Sequence, residues 1–97
     1  MNRYEIQNST LKCYLYGRAD GLNSELLEKE INSNSDENIN SMILDMAEVD
    51  YVSSAFLRVC LKLLKKFGKN NFNIVNVQPT VLKVFKIANF TELIKIQ

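Results

Sequence analysis

The amino-acid sequence predicts an α/β fold, a mixed sheet of four to five strands with helices packed against it, in a single domain over residues 1–97. Segments with alternating or continuous apolar residues, which are typical of strands, are followed along the chain by segments with apolar residues at helical spacing. Their order is β-β-α-β-α-β-α-β, which builds a mixed sheet covered by helices. A length of 97 residues allows one hydrophobic core and leaves no room for a second.

The first part of the chain predicts a β-hairpin and then a helix. Residues alternate in polarity over positions 4–8 and 11–16, and the turn-forming residues between them favour two paired strands. We expect Asn23 or Ser24 to cap the helix that follows. The polar residues 32–40 predict a loop after that helix. The apolar stripe of the helix is predicted to contain Leu22, Leu26, Leu27 and Ile31.

The middle of the chain predicts a buried strand and a long helix. Residues 41–46 predict a central strand, and we expect a short acidic turn between this strand and the pair Tyr51 and Val52. The helix is predicted over Ser54–Phe67, and Gly68 is a suitable residue to follow its C-terminus. Its apolar stripe is predicted to consist of Leu57, Cys60, Leu61 and Leu64, widened by Phe56, Val59, Leu63 and Phe67.

The last third of the chain predicts a strand over residues 72–77, a short helix, and a final edge strand over residues 93–96. Pro79 suits the first position of that helix, where its missing N–H group costs nothing. We expect Asn89 to end the helix. The buried face of the helix is predicted to contain Val81, Leu82, Phe85 and Ala88.

Composition and charge exclude several classes of function. The formal net charge is +1, so no global field attracts nucleic acid or an anionic membrane. No apolar run approaches the roughly 18 residues of a membrane span, and the N-terminus lacks the apolar core of a signal peptide. We therefore expect a cytoplasmic protein without direct membrane insertion. Cys13 and Cys60 are predicted to be reduced core thiols, although the sequence leaves a disulfide open.

The sequence also predicts that the protein is not an enzyme. It contains no histidine, and no lysine lies near Ser54 in the sequence to serve as the base of a serine nucleophile. A glycine-rich phosphate loop is absent from the sequence, so we expect no cofactor. Asp45 and Asp50 could hold a cation, but carboxylates at strand ends mostly form turns, and we therefore expect no metal.

Two serines at the start of the long helix are the most informative residues. Ser53 and Ser54 follow an apolar strand and directly precede an apolar helix. Free N–H groups and the positive end of the helix dipole favour an anion such as a phosphate at this position. The residues alone leave open whether these serines are helix caps or a phosphorylation site. Asp20 is similarly either a surface contact beside Ser54 or a turn residue.

Four segments, in the right order and over nearly the whole chain, resemble the STAS domain of anti-sigma-factor antagonists. Residues 51–61, Tyr-Val-Ser-Ser-Ala-Phe-Leu-Arg-Val-Cys-Leu, are similar to the family's Ile-Ser-Ser-Ala-Gly-Leu-Arg variant at the start of a long helix. Residues 17–20 resemble its Gly-Arg-Leu-Asp segment. Residues 75–81 resemble its Val-Asn-Val-Ser-Pro-Glu-Val segment, and residues 89–93 its Gly-Leu-Asp-Glu-Leu segment.

The resemblance implies a protein partner, usually a serine kinase that also sequesters a sigma factor, and release of that partner by phosphorylation. Carried over by residue, the implied phosphorylation site is Ser54, and Ser53 stands in the place of the family's aspartate. The implied partner-binding residues are Asp20, Ser53, Ser54, Ala55, Phe56 and Arg58.

An alternative function is that of a constitutive STAS subunit in a larger assembly, such as a lipid ABC-transport complex, without phosphorylation. Two departures from the family pattern motivate it, because Ser53 replaces the aspartate and Phe56 replaces the glycine after the serines. In that case Phe56 would anchor a permanent interface, and replacement of Ser54 by aspartate would leave partner binding unaffected.

Overall fold

The computed structural model describes residues 2–97, which form five strands and three α-helices. The predicted fold class and the predicted order of elements are both confirmed. Short 3₁₀ turns over residues 69–71 and 90–92 precede the last two strands. In chain order the elements are β1 (Arg3–Gln7), β2 (Thr10–Ala19), α1 (Gly21–Asn34), β3 (Ser41–Val52), α2 (Ser54–Phe67), β4 (Phe72–Val75), α3 (Pro79–Ile87) and β5 (Lys95–Ile96).

The strands form one sheet in which neighbours in sequence are also neighbours in space, in the order β1-β2-β3-β4-β5. β1 is antiparallel to β2, and the remaining pairs are parallel. Right-handed crossovers between consecutive parallel strands place the three helices on the same face of the sheet. The strand side chains on that face are buried, as Leu11, Cys13 and Leu15 are on β2, whereas Lys12 and Tyr14 on the other face are partly exposed.

The core lies between the sheet and the helices and is centred on aromatic side chains. Phe56 from α2, Phe72 from β4 and Phe85 from α3 are fully buried. The Phe56 and Phe85 rings lie 6.5 Å apart, and Phe90 stacks on Phe85 at 6.0 Å. Burial of each such side chain contributes about 1.5–3 kcal/mol to the free energy of unfolding. This aromatic cluster therefore fixes the position of α2 on the sheet.

The central strand β3 is longer than predicted, and the predicted acidic turn is wrong. β3 continues from Ser41 to Val52, and its second half pairs with β2 through two register shifts. Glu48 and Asp50 are exposed along this half, while Val49 and Val52 are buried. The carboxylates therefore lie on the solvent side of a bulged strand, and this arrangement needs no turn.

The start of α1 and its buried face also differ from the prediction. Asp20 caps the helix, because its Oδ1 accepts a hydrogen bond of 2.9 Å from the Asn23 amide; neither Asn23 nor Ser24 is the cap. Leu22 and Leu26 are 68% and 46% exposed, so they do not belong to the buried stripe. The buried residues of α1 are Ser24, Leu27 and Ile31.

The bounds of α2 agree with the prediction, whereas its buried face is rotated. Gly68 follows the helix with a φ of +92°, and its N–H donates to the Leu64 carbonyl at 2.8 Å. Leu61, which was expected in the apolar stripe, is 42% exposed. The buried face consists of residues predicted to widen the stripe, together with one from its centre: Phe56, Val59, Cys60, Leu63 and Phe67.

The C-terminal elements follow the prediction with small shifts. β4 ends at Val75, before the predicted boundary, and Asn76 adopts a φ of +57°. α3 ends at Ile87 with Ala88 as its C-cap, so Asn89, which was expected to end the helix, lies just after it in the left-handed conformation. Ala88, which was expected on the buried face of α3, is exposed. The final edge strand is confirmed as β5, which pairs in parallel with β4. Cys13 and Cys60 are free thiols and both are buried.

Candidate functional site

The candidate site lies where β2 and β3 end side by side and each passes directly into a helix. Ala19, the last residue of β2, is paired with Val52, the last residue of β3. The Ser53 amide then donates to the Ala19 carbonyl at 2.9 Å. Because parallel strands end at the same edge of the sheet, the N-termini of α1 and α2 lie next to each other at this edge.

Ser53 is the N-cap of α2, and its hydroxyl makes two hydrogen bonds. The Ser53 Oγ accepts from the Phe56 amide at 3.3 Å, which is the usual capping geometry. The same hydroxyl donates to the Ala19 carbonyl at 2.9 Å. The side chain of Ser53 is half-buried and joins the start of α2 to the end of β2.

Ser54 has a different environment from its neighbour. It is the first residue of α2, and it is exposed. Its hydroxyl forms no hydrogen bond with any residue from 2 to 97. The first turn of α2 contains no acidic residue, so nothing on the helix itself offsets the positive end of its dipole. An anion attached to Ser54 would meet free N–H groups and a favourable field.

Asp20 and Ala55 lie at the same junction. Asp20 is half-buried, and its carboxylate caps α1 through the Asn23 amide, so it satisfies a local N–H group. It follows directly after Ala19, which both the amide and the hydroxyl of Ser53 contact. Ala55 is half-buried and lines a groove between α1 and α2. Asp20 and Ala55 are therefore held at the same edge of the sheet as the two serines.

The expectation that Phe56 belongs to the partner-binding surface is wrong. Its side chain is 0% exposed and packs against Phe85, 6.5 Å away between ring centroids. Phe56 is the third residue of α2, and that position faces the sheet rather than solvent. The aromatic ring consequently fills the core beneath the junction and presents no surface to another protein.

The groove between α1 and α2 has a volume of about 230 Å³ and carries charges on both walls. Arg58 and Lys62 from α2 face Glu25 and Glu28 from α1 across it. The Lys62 ammonium forms an ion pair with Glu28 at 3.2 Å. Glu25 forms an ion pair with Lys29 at 3.7 Å. The groove opens directly beside Ala55, so it extends the surface around Ser54.

The sequence did not predict that three charged residues would line this groove: Glu25, Glu28 and Lys62. It also did not predict the contact between Arg18 and Tyr51. The Arg18 guanidinium lies over the Tyr51 ring, 4.0 Å from its centroid, next to the junction. These contacts join segments that are more than 30 residues apart, and no local pattern indicates which charges will face each other. Only the predicted adjacency of parallel strand ends could have suggested that α1 and α2 begin together.

The buried thiols offer no nucleophile to this region. Burial raises the pKa of the Cys13 thiol to about 12 and also raises the pKa of Cys60. Asp45, which was considered as a cation ligand, is 7% exposed and accepts hydrogen bonds from the Asn76 side chain at 2.9 Å and the Ala47 amide at 3.1 Å. No group of three or more His, Cys, Asp or Glu side chains in residues 2–97 could hold a metal ion.

None of the helices described for residues 2–97 combines the length and the apolar character needed to cross a membrane.

The sheet order, the strand–serine–helix junction and the paired helix N-termini define a STAS domain, and the chain belongs to the STAS domain family, whose model matches residues 3–97. The chain is similar to BtrV of Bordetella bronchiseptica, which is provisionally described as an anti-sigma factor antagonist. The two are 32% identical over 91 residues, covering 92% of this chain and 78% of BtrV.

Solved structures of anti-sigma factor antagonists share this fold. One from Mycobacterium paratuberculosis superposes with a TM-score of 0.86 at 16% identity, over 99% of this chain and 83% of the other. SpoIIAA in its unphosphorylated form superposes with a TM-score of 0.81 at 16% identity, over 100% and 88% of the two chains. Phosphorylated Bacillus SpoIIAA superposes with a TM-score of 0.74 at 16% identity, over 100% and 91%.

Proposed function

We propose that this protein is an anti-sigma-factor antagonist that binds a kinase-type anti-sigma factor through the junction around Ser54 and is released when Ser54 is phosphorylated. Membership of the STAS family and the similarity to BtrV support the first part of this proposal. SpoIIAA, an antagonist with the same fold, exists in a phosphorylated form, which supports the second part.

The observation that carries the proposal is the contrast between the two serines. The Ser53 hydroxyl is occupied by hydrogen bonds to Ala19 and Phe56, whereas Ser54 is exposed and makes none with residues 2–97. A kinase can therefore reach the Ser54 oxygen without breaking any hydrogen bond of the fold. Transfer of the γ-phosphoryl group of ATP to that oxygen releases ADP and the hydroxyl proton.

Electrostatics explains how such a modification releases a partner while the domain stays folded. A phosphoserine carries a charge of about −1.5 to −2 at neutral pH. At a helix N-terminus this charge is favourable by roughly 0.3–1 kcal/mol, so the free domain tolerates it. Within a packed interface the same charge must lose its hydration, which is costly unless a cation pairs with it. Partner affinity therefore falls while the stability of the domain changes little.

The constitutive-subunit alternative loses its main argument in this structure. It required Phe56 to anchor a permanent interface, and the Phe56 side chain is fully buried in the core. Ser53, the other residue that departs from the family pattern, caps the N-terminus of α2. Neither residue therefore favours a permanent interface.

The test is to incubate the protein with ATP and with each serine-kinase anti-sigma factor encoded in its genome, and to locate the phosphate by mass spectrometry. We expect one phosphate, on Ser54, and its loss in Ser54→Ala. Ser53→Ala is the matched control and should still accept phosphate at Ser54. Phosphate on Ser53, or continued labelling of Ser54→Ala, would contradict the site assignment.

A further inference from the structure

A phosphate on Ser54 would have one cation on its own helix within reach. Arg58 is four residues after Ser54 on α2, and residues at this spacing are neighbours on a helix surface, about 5–6 Å apart between Cβ atoms. Arg58 lines the groove together with Ala55, the residue next to Ser54. Because helical side chains lean towards the N-terminus, an arginine at this position can reach the turn that contains Ser54. The planar guanidinium group matches the oxygens of a phosphate with two parallel hydrogen bonds.

The other charges of the groove already have partners. Lys62 is paired with Glu28 at 3.2 Å, and Glu25 is paired with Lys29 at 3.7 Å. Arg58, by contrast, is exposed and makes no ion pair with any residue in the described part of the chain. It is therefore the one charge of this groove, within residues 2–97, that is left for an incoming ligand.

Two further charged residues at the junction, Asp20 and Arg18, are engaged elsewhere. The Asp20 carboxylate caps α1 through the Asn23 amide at 2.9 Å. The Arg18 guanidinium stacks on Tyr51 at 4.0 Å from the ring centroid. The first turn of α2 carries no acidic residue that would compete for Arg58. A phosphate at Ser54 would thus find Arg58 available without breaking an existing ion pair.

We propose that the phosphate on Ser54 pairs with Arg58, and that the switch acts partly by withdrawing Arg58 from the groove. This inference rests on the proposed function, since it assumes that Ser54 is the modified residue. In the unmodified protein Arg58 is free to bind a carboxylate of the partner at the groove. After modification the phosphate occupies Arg58, so the partner meets a new negative charge and loses a positive one.

The test is a ³¹P NMR titration of protein in which phosphoserine is incorporated at position 54 during translation, so that no kinase is needed. We expect Arg58→Gln to raise the second pKa of the phosphate, which is ordinarily about 6, by about half a unit. Arg58→Lys should retain part of the effect, because it keeps the charge but not the planar fork.

Lys65→Gln is the matched control, because it removes the same charge from the same helix about 16 Å from Ser54, beyond the screening length of about 8 Å at physiological salt. It should leave the phosphate pKa unchanged. Equal shifts in both glutamine variants, or no shift in Arg58→Gln, would overturn the ion pair. The titration is independent of the kinase assay, so a failure of either experiment is distinguishable from a failure of the other.

Discussion

The Ser53 oxygen lies 2.9 Å from the Ala19 carbonyl and 3.3 Å from the Phe56 amide, while the Ser54 oxygen has no hydrogen-bond partner among residues 2–97. The two adjacent serines therefore differ: the Ser53 hydroxyl is part of the hydrogen-bonded fold, whereas the Ser54 hydroxyl is exposed to solvent. The aspartate of the family at position 53 could accept from the Phe56 amide, but a carboxylate could not donate to Ala19. Serine can do both.

We predict that Ser53→Ala lowers the free energy of unfolding by about 1–2 kcal/mol, because it removes the N-cap of α2 and the bond to β2. Ser54→Ala is the control and should change it by less than about 0.5 kcal/mol, since its side chain is exposed. Urea unfolding followed by circular dichroism measures both values. Equal losses in the two variants would mean that the hydroxyls do not differ in the way the geometry indicates.

Among the elements, α2 shows what a local pattern can and cannot predict. Its bounds were correct because the serines, the apolar spacing and Gly68 are local signals. All of its buried residues were in the predicted set, but the centre of the buried face was misplaced. So many α2 positions are apolar that the spacing allows more than one stripe, and contact with the sheet decides between them. The spacing correctly placed Phe56 in the widened stripe, whereas the family resemblance assigned it to the partner surface; its packing against Phe85 on another helix shows that it belongs to the core.

The other errors also arise from contacts between distant segments. The acidic residues after Met46 suggested a turn, but pairing with the far end of β2 holds them in a bulged strand. Leu22 and Leu26 were expected in the buried stripe of α1, but the side of the helix that packs on the core contains Ser24 instead. The position of Ser53 and Ser54 at a strand-to-helix junction was predictable, whereas the bond to Ala19 and the groove with Glu28 were not.

At the start of α1, we predict that Asp20→Ala lowers the free energy of unfolding by about 1 kcal/mol through loss of the cap to the Asn23 amide. Asp20→Asn is the matched control and should keep most of the stability, because asparagine caps almost equally well. Thermal unfolding of the three proteins measures the difference. If Asp20→Asn were as unstable as Asp20→Ala, the negative charge rather than the cap would be the stabilising feature.

For the molecule as a whole, the sheet and its helices enclose the two thiols, and this has a consequence at alkaline pH. The unfolded thiols lose their protons near a pKa of 9.0, whereas burial raises the pKa of Cys13 to about 12 and raises that of Cys60 as well. The folded state retains protons that the unfolded state has lost. The stabilisation is therefore complete below about pH 9 and is lost as the pH rises towards 12.

We accordingly predict that the free energy of unfolding falls above about pH 9, with a slope that approaches about 1.4 kcal/mol per pH unit for each buried thiol. Cys60→Ala is the diagnostic variant. It should be less stable at every pH, because it leaves a cavity in the core, but its stability should fall less steeply above pH 9. Urea unfolding at closely spaced pH values gives both slopes. Parallel curves for the two proteins would show that other groups, such as the lysines, cause the decline, and that enclosure of Cys60 by the folded domain does not control its ionisation.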